Sequence, residues 1–266
     1  MNLEVEVRFA QVRDVGAVCS LALRSFGAEL TDRLIYGSGG FPFYMREQLE
    51  VPGGFSDTRY LVAASGGEMA GFAEILCRPP QLFLNYICAD KQKNIKGLGS
   101  LLLYRSLQTL GAGNCRSLLL DVFDSNVKAV SWYRALGFEE TGRHTWWAIS
   151  LPECPPDVSG YLCQLPQAMA CQRRFGFSRF QVRTAGQVYE VGMLGDRWFR
   201  ITSPEILEDG DALGLLRRLD PGRRLLAILP EKTPPAGWLD KARTLDTSLR
   251  MEAGISPLMQ ALENKL

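Results

Sequence analysis

Asn94-Ile95-Lys96-Gly97-Leu98-Gly99-Ser100 is a glycine loop that follows an apolar run at 82–89 and opens another at 101–110. That order reads as a strand running into bare backbone amides at a helix start. A helix N-terminus leaves four N–H groups unpaired and carries roughly half a positive charge, so phosphate oxygens are stabilised there without a metal. Two other phosphate loops do not fit. A dinucleotide fold needs G-x-G-x-x-G with an acidic residue about 20 positions on, but position 102 is leucine and Asn114 and Cys115 occupy the later region. A P-loop needs G-x-x-x-x-G-K-[S/T], and no such string occurs. Taken alone, Gly97-Leu98-Gly99 is equally the pattern of a tight strand-to-helix turn with no ligand.

A second constellation runs Asp121-Val122-Phe123-Asp124-Ser125-Asn126, then Ala129, Tyr133 and Leu136-Gly137-Phe138. Asn126 and Tyr133 are about two helical turns apart, so they share a face with the small Ala129 and leave room for a slender ligand beside them. Each also has a purely structural reading, Asn126 as a helix N-cap and Tyr133 as the edge of an amphipathic core. Together the two constellations resemble the GNAT-type N-acyltransferase superfamily over residues 4–151. That family carries an R/Q-x-x-G-x-G/A loop after a central strand, which 94–99 fits except for Asn94 in first place. Downstream, its N-x-x-A-x-x-x-Y-x-x-L-G-F string is matched without a gap.

The resemblance implies a set of roles. The loop from Asn94 through the amides of Ile95, Lys96, Gly97, Leu98, Gly99 and Ser100 would hold the pyrophosphate of acetyl-coenzyme A or another acyl-coenzyme A, used as co-substrate with no metal. The backbone of Ile87, Cys88 and Ala89 would pair with the pantetheine arm, beside Asn126 and Ala129. Tyr133 would protonate the departing thiolate, a contribution of roughly 10²–10⁴ in rate. Members often place a glutamate base where this chain has Asn85. Asp121 is then the first candidate base, since it ends the strand before Asn126, and enzymes that acetylate protein N-terminal amines can carry an acid there. Glu74 is the second. An alkyl ammonium of pKa about 10.4 is roughly 0.1% neutral at pH 7, whereas an α-amine of pKa about 7.7–8 is closer to a tenth neutral and needs less help. Cys88 has no base near it in sequence and reads as a packed thiol.

The implied activity is transfer of an acyl group, acetyl first, to a primary amine of a small molecule or a peptide N-terminus, by direct attack in a ternary complex. The rival reading is a non-catalytic acyl-coenzyme A-sensing or assembly module, motivated by Asn85 and Asn94. Acceptor choice is assigned to 26–54, the Arg78-Pro79-Pro80-Gln81 connection and the C-terminal part. Phe41, Phe43, Tyr44, Trp146 and Trp147 are either an apolar acceptor pocket or ordinary core and rim. Arg8, Arg13, Arg173 and Arg174 could take an acceptor carboxylate or be solvated surface.

The elements that must position these groups follow from periodicity and breakers. Residues 4–9 alternate as a strand, and Asp14 opens a helix to about Ser25 with Val15, Val18, Leu21 and Leu23 distributed as one face. A helix at 43–50 ends at Pro52-Gly53-Gly54. Strands at 60–64 and 69–77 flank a tight Gly66-Gly67 hairpin, and 82–89 is the third. A helix at 98–110 stops at Gly111-Ala112-Gly113-Asn114, a strand covers 117–122, a helix runs from Asn126 to 136, and strands cover 138–142 and 145–151. This is an α/β order with a mixed sheet flanked by helices. The Pro152-Glu153-Cys154-Pro155-Pro156 stretch is the expected boundary between a GNAT-like acyl-coenzyme A domain, 1–152, and a smaller α/β module, 153–266. In that module we expect a helix at 165–174, strands at 180–183, 188–194, 198–202, 225–229 and 247–252, a helix capped at Ser203, and a last helix at 257–266. Ala129, Arg134 and Gly137-Phe138 recur as Ala168, Arg173 and Gly176-Phe177, a faint echo consistent with a degenerate GNAT-like repeat.

The chain as a whole sets outer bounds. Its 266 residues and 46% hydrophobic content suit one large or two smaller domains. A net charge of +1 lacks the basic balance of a nucleic-acid binder. No apolar run reaches the roughly 20 residues of a membrane span and no signal peptide is evident, so a cytoplasmic protein is expected. The seven scattered cysteines and the single His144 suggest neither a disulfide framework nor a metal centre. The acceptor and the oligomeric state are not legible.

Overall fold

A computed structural model of the protein describes residues 5–52, 55–111, 113–153, 157–231, 237 and 241–266. The expected strand residue Glu4, the break at Gly53-Gly54, Ala112 of the helix stop, and Cys154-Pro155-Pro156 of the expected boundary lie outside the described residues. The chain divides into two compact units, one of residues 1–27, 42–142 and 249–266, the other of 28–41 and 143–248. The Pro152 connection therefore falls inside the second unit, and the last residues belong to the first.

The first unit opens with β1 (Val5–Phe9) and α1 (Val15–Thr31), whose face of Val15, Val18, Cys19, Leu21 and Ala22 is buried, whereas Leu23, expected on that face, lies two residues past Leu21 on the opposite side and is exposed. Gly27 breaks α1 with φ 72° and ψ 163°, a conformation that favours glycine, and the unit is left at that residue. Helix α2 (Phe41–Glu50) starts two residues earlier than expected, because Pro42 is tolerated in a first turn. Strands β2 (Thr58–Ser65) and β3 (Glu68–Arg78) are joined by Gly66 and Gly67, with φ of 59° and 82°, the positive pair that a tight hairpin turn of type I′ requires. Strand β4 (Gln81–Ala89) follows, then α3 (Leu98–Leu110), β5 (Ser117–Phe123) and α4 (Val127–Arg134). Strands β1 to β4 pair in sequence, each antiparallel to the last, and β5 returns parallel to β4 through the α3 crossover. Ile75, Leu84, Leu118 and Leu120 pack in one core with Leu102 and Leu103 of α3. Residues 249–266 add Met251, Leu258 and Leu262 to that core, all fully buried.

Two expected strands at 138–142 and 145–151 are one, β6 (Glu139–Ser150), since no turn residue follows Gly142 to break the run. In the second unit come β7 (Tyr161–Cys163), α5 (Leu165–Phe175), β8 (Phe177–Arg183), β9 (Val188–Leu194), β10 (Trp198–Ile201), α6 (Gly210–Leu219) and β11 (Arg224–Pro230). Strand β12 (Ala242–Gly254) is longer than expected, and α7 (Ile255–Glu263) ends the chain. Helix α6 is capped by Asp209, whose carboxylate accepts the Ala212 N–H at 2.9 Å, and not by Ser203, which instead precedes a short 3-10 turn at Pro204–Glu208.

The two units repeat one scheme. Strands β7 to β10 pair in sequence, all antiparallel, and β11 returns parallel to β10 through α6, as β5 returns to β4 through α3. The second module is thus GNAT-like in topology. The sequence echo does not carry this repeat: its first copy lies on α4, after the parallel return, and its second on α5, between the first two strands of the antiparallel run.

Candidate active site

Strands β4 and β5 are in register only from Gln81↔Ser117 to Leu84↔Leu120, although β4 continues to Ala89 and β5 to Phe123. Beyond that point the two strands part, and the β5-facing backbone of residues 85–89 is left for an extended partner. Asn85 is the hinge. Glu74 pairs with Tyr86 and Ile75 with Leu84, so Asn85 is the extra residue of a β-bulge. Plain alternation would keep Leu84 and Tyr86 on one face. The bulge instead turns Tyr86 to the face of Tyr60 and Glu74, its register partners, while Leu84 stays in the α3 core.

The loop after β4 is shaped by local chemistry. Asp90 caps the 3-10 turn Lys91–Lys93, accepting the Gln92 N–H at 3.0 Å. Asn94 closes the turn with φ 47°, a left-handed conformation that asparagine tolerates better than arginine or glutamine. That accounts for the residue that departs from the family string. Gly97 is the N-cap of α3, left-handed at φ 73°, with no side-chain cap and no acidic residue in the first turn. The first helical bond is Leu101 N–H to Gly97 C=O at 2.9 Å, leaving the amides of Leu98, Gly99 and Ser100 ahead of it. Gly99 has no internal reason to be glycine. Its φ is ordinary, and a Cβ there would meet only Trp132, at 3.6 and 3.8 Å, normal contact distances. A glycine retained where both backbone and packing permit a side chain suits a ligand that must approach the helix start closely.

Asn126 caps α4, its side-chain oxygen accepting the Ala129 N–H at 3.2 Å, and it remains exposed with its amide nitrogen available. Tyr133, one helix face along, is buried and packs edge-on to Phe138 at 5.3 Å between ring centroids. Burial, and next the nearby Cys88, push its phenol well above the usual range, so it is a proton donor and not a phenolate at neutral pH. Trp132, which sequence reasoning passed over, donates from Nε1 to Ser100 Oγ at 3.2 Å and ties α4 to the start of α3. Its place beside Tyr133 was the available signal. Burial pushes the Cys88 thiol up to about 12, which leaves almost no thiolate. Ile87 is half-buried and Ala89 exposed on the same unpaired segment.

The two candidate bases lie on one face of the sheet in different company. Asp121 alternates away from Leu120 and Val122 of the α3 core and is held by Arg250, whose Nε and second guanidinium nitrogen reach its two oxygens at 2.5 and 2.8 Å. Arg250 in turn lies over the Phe83 ring at 5.4 Å. Glu74 is 3% exposed and accepts the Asn85 side-chain amide at 2.9 Å. Tyr60 stands beside it with a buried hydroxyl that has no hydrogen-bond partner among the described residues. Burial, then the Glu74 carboxylate, Tyr44 and Tyr86, raise the Tyr60 phenol far above its usual value. Phe26 meets Tyr86 at 5.3 Å. A buried carboxylate in one register row with Tyr60 and Tyr86 suits an amine. Of the other acceptor candidates, Phe41 and Trp146 are core residues of the second unit, Phe43 is exposed, and Arg8 is paired with Asp14. Among the described residues no group of acidic, histidine or cysteine side chains could hold a metal, and no helix is long and apolar enough to cross a membrane.

The second unit lacks the equivalent of the glycine loop. Before α6 stand Glu205, Glu208 and Asp209, and Asp209 already fills the helix start while accepting from Thr184 and Tyr189 at 2.8 and 3.1 Å. An anion would be repelled there.

The family model for Acetyltransferase (GNAT) matches residues 29–138. A tandem GNAT protein from the clavulanic acid biosynthesis pathway, 15% identical, covers 94% of this chain and 98% of its own, with a TM-score of 0.64. A GCN5-related N-acetyltransferase from Sphaerobacter thermophilus, 12% identical, covers 94% of this chain and 96% of its own, with a TM-score of 0.59. At such identities the likeness is one of fold. No curated protein matches the chain.

Proposed function

With a GNAT-family acetyltransferase domain at residues 29–138 as the premise, we propose that this protein moves an acyl group, acetyl first, from acyl-coenzyme A to a primary amine. The observation that carries this is the uncapped start of α3 with Gly99 open to a ligand, set beside the parted strands β4 and β5. The amides of Ile95 to Ser100 would hold the pyrophosphate, and the backbone of Ile87, Cys88 and Ala89, with Asn126 and Ala129, would flank the pantetheine arm. The bound acyl-coenzyme A supplies a thioester, whose C–S bond breaks as the amine nitrogen forms its bond to the acyl carbon.

The side chains of this chain then have separate tasks. Tyr133 gives its phenolic proton to the departing sulfur. Glu74, held by Asn85, receives the proton that the amine sheds. Both carboxylate oxygens of Asp121 are already taken by Arg250, through its Nε and second guanidinium nitrogen. We therefore place Glu74 ahead of Asp121, reversing the order that sequence favours. Glu74, buried in one register row with Tyr60 and Tyr86, supports a small or α-amine substrate over a polyanionic one.

The test is release of free thiol from acetyl-coenzyme A against a panel of amino acids, polyamines, aminoglycosides and peptides. Amine-dependent release that is abolished by Gly99→Glu is the expected result. Coenzyme A binding without release across the whole panel would refute the transferase reading and leave an acyl-coenzyme A sensor. The full chain must be used, because 249–266 complete the core of the acyl-coenzyme A unit.

A further inference from the structure

The second unit contains a cavity of about 540 Å³ whose wall is unusually rich in arginine. Arg33, Arg197, Arg224 and Arg243 line it, against only Glu29 and Asp32 of opposite sign. Two of the four cations are compensated: Arg33 pairs with Glu29 at 3.1 Å and Arg197 with Asp32 at 2.9 Å. Arg224 and Arg243 have no carboxylate partner among the described residues. The Nε of Arg224 is buried from solvent and has no hydrogen-bond partner among the described residues. A guanidinium donor removed from water and left without an acceptor is an expensive arrangement unless a ligand supplies one.

The site is also rigid before anything binds. The Trp198 indole, 2% exposed, donates from Nε1 to Asp32 at 3.2 Å, which fixes the ring. Arg197 and Arg224 lie over that ring at 5.1 and 5.9 Å, so both guanidiniums are held in position by cation–π contact. Preorganised planar donors of this kind recognise carboxylate and phosphate oxygens.

The cavity is not the worn remnant of a second acyl-coenzyme A site. Trp198 opens β10 and Arg224 opens β11, so the cavity lies at the N-terminal ends of these parallel strands. A pyrophosphate loop would lie at the other end of β10, before α6, where Asp209 stands instead.

We propose that the second unit binds a small organic anion, a carboxylate or a phosphoryl compound, through Arg224 and Arg243 in this cavity. The volume suits a metabolite-sized molecule. The module that lost its glycine loop thus keeps a ligand function of its own.

Titration calorimetry of the full-length protein with inorganic phosphate, succinate and citrate tests this, alongside thermal unfolding in each anion. Saturable binding of at least one probe at or below about 10 mM is expected, weakened by added chloride. Phosphate alone would identify a phosphoryl ligand, and succinate or citrate alone a carboxylate. Arg224→Met and Arg243→Ser should each weaken binding about tenfold or more while the anion-free melting temperature holds. Gly99→Glu, which blocks the start of α3 in the first unit, should leave anion binding to this cavity unchanged. No saturable binding by any probe, or binding lost on Gly99→Glu and kept in both arginine variants, would overturn the proposal.

Discussion

Gly99→Ala separates ligand binding from folding, because the two should move in opposite directions. Residue 99 lies in the first turn of α3 with ordinary helical dihedrals, and the added methyl would touch only Trp132 at 3.6 Å. Alanine in place of glycine inside a helix is worth about 0.5–1 kcal/mol. For a chain of this size that raises Tm by about 1–4 °C. The same methyl would stand over the helix start where phosphate oxygens must come close. Losing one charge-assisted hydrogen bond there costs about 1.5–3 kcal/mol, or roughly 10- to 100-fold in coenzyme A affinity. Thermal unfolding without ligand and calorimetry with coenzyme A read the two effects on one preparation. Gly97→Ala is the control: with φ of 73°, its alanine costs about 1–2 kcal/mol, so Tm should fall. An unchanged coenzyme A affinity in Gly99→Ala, or a lowered Tm, would refute the claim that this glycine is kept for a ligand.

Tyr133→Phe should lower turnover about 100-fold with coenzyme A affinity unchanged, whereas Cys88→Ala should keep turnover because its thiol, at about 12, is no nucleophile; thiol-release kinetics check both. Glu74→Gln should cut kcat at least about tenfold, with the deficit shrinking as pH rises and more of the amine is neutral. Asp121→Asn should keep turnover within about threefold and lower Tm by a few degrees as Arg250 loses its partner; the reverse pattern in the two variants would make Asp121 the base. The Asp14 carboxyl is held below its usual range by the Arg8 hydrogen bonds at 2.7 and 3.0 Å. Its stabilisation is complete above the unfolded value of about 3.9 and fades as pH falls through the lower folded value. Asp14→Asn should thus cost about 1–2 kcal/mol at pH 7, a gap that closes below about pH 4 in acid unfolding curves.

What was legible in the sequence was what is enforced locally. Gly66-Gly67, Gly97 and the Asn126 cap announce themselves because a positive φ or an unpaired amide restricts the residue at that one position. The Asn85 bulge is local too, yet it only shows once β3 and β4 are paired, and it decides which face Tyr86 takes. The choice between bases was hidden for a different reason. Arg250 is 129 residues from Asp121, so nothing near Asp121 in sequence reports that its carboxylate is occupied. Likewise Pro152 reads as a boundary by composition, whereas residues 249–266 return to the first unit through apolar contacts made by Met251, Leu258 and Leu262. The sequence offered the repeat only as the echo of Ala129, Arg134 and Gly137-Phe138, whereas the repeat lies in the strand order, with acids where the first unit has its glycine loop.

That return has a consequence for how the protein is made. On the ribosome, residues 1–27 and 42–142 emerge early, but Met251, Leu258 and Leu262 follow only after the whole of the second unit. Until they arrive, the nascent first unit exposes the core surface that those residues cover. Synthesis order therefore completes the second unit before the first, and a chain cut at Pro152 would leave the first unit without part of its core.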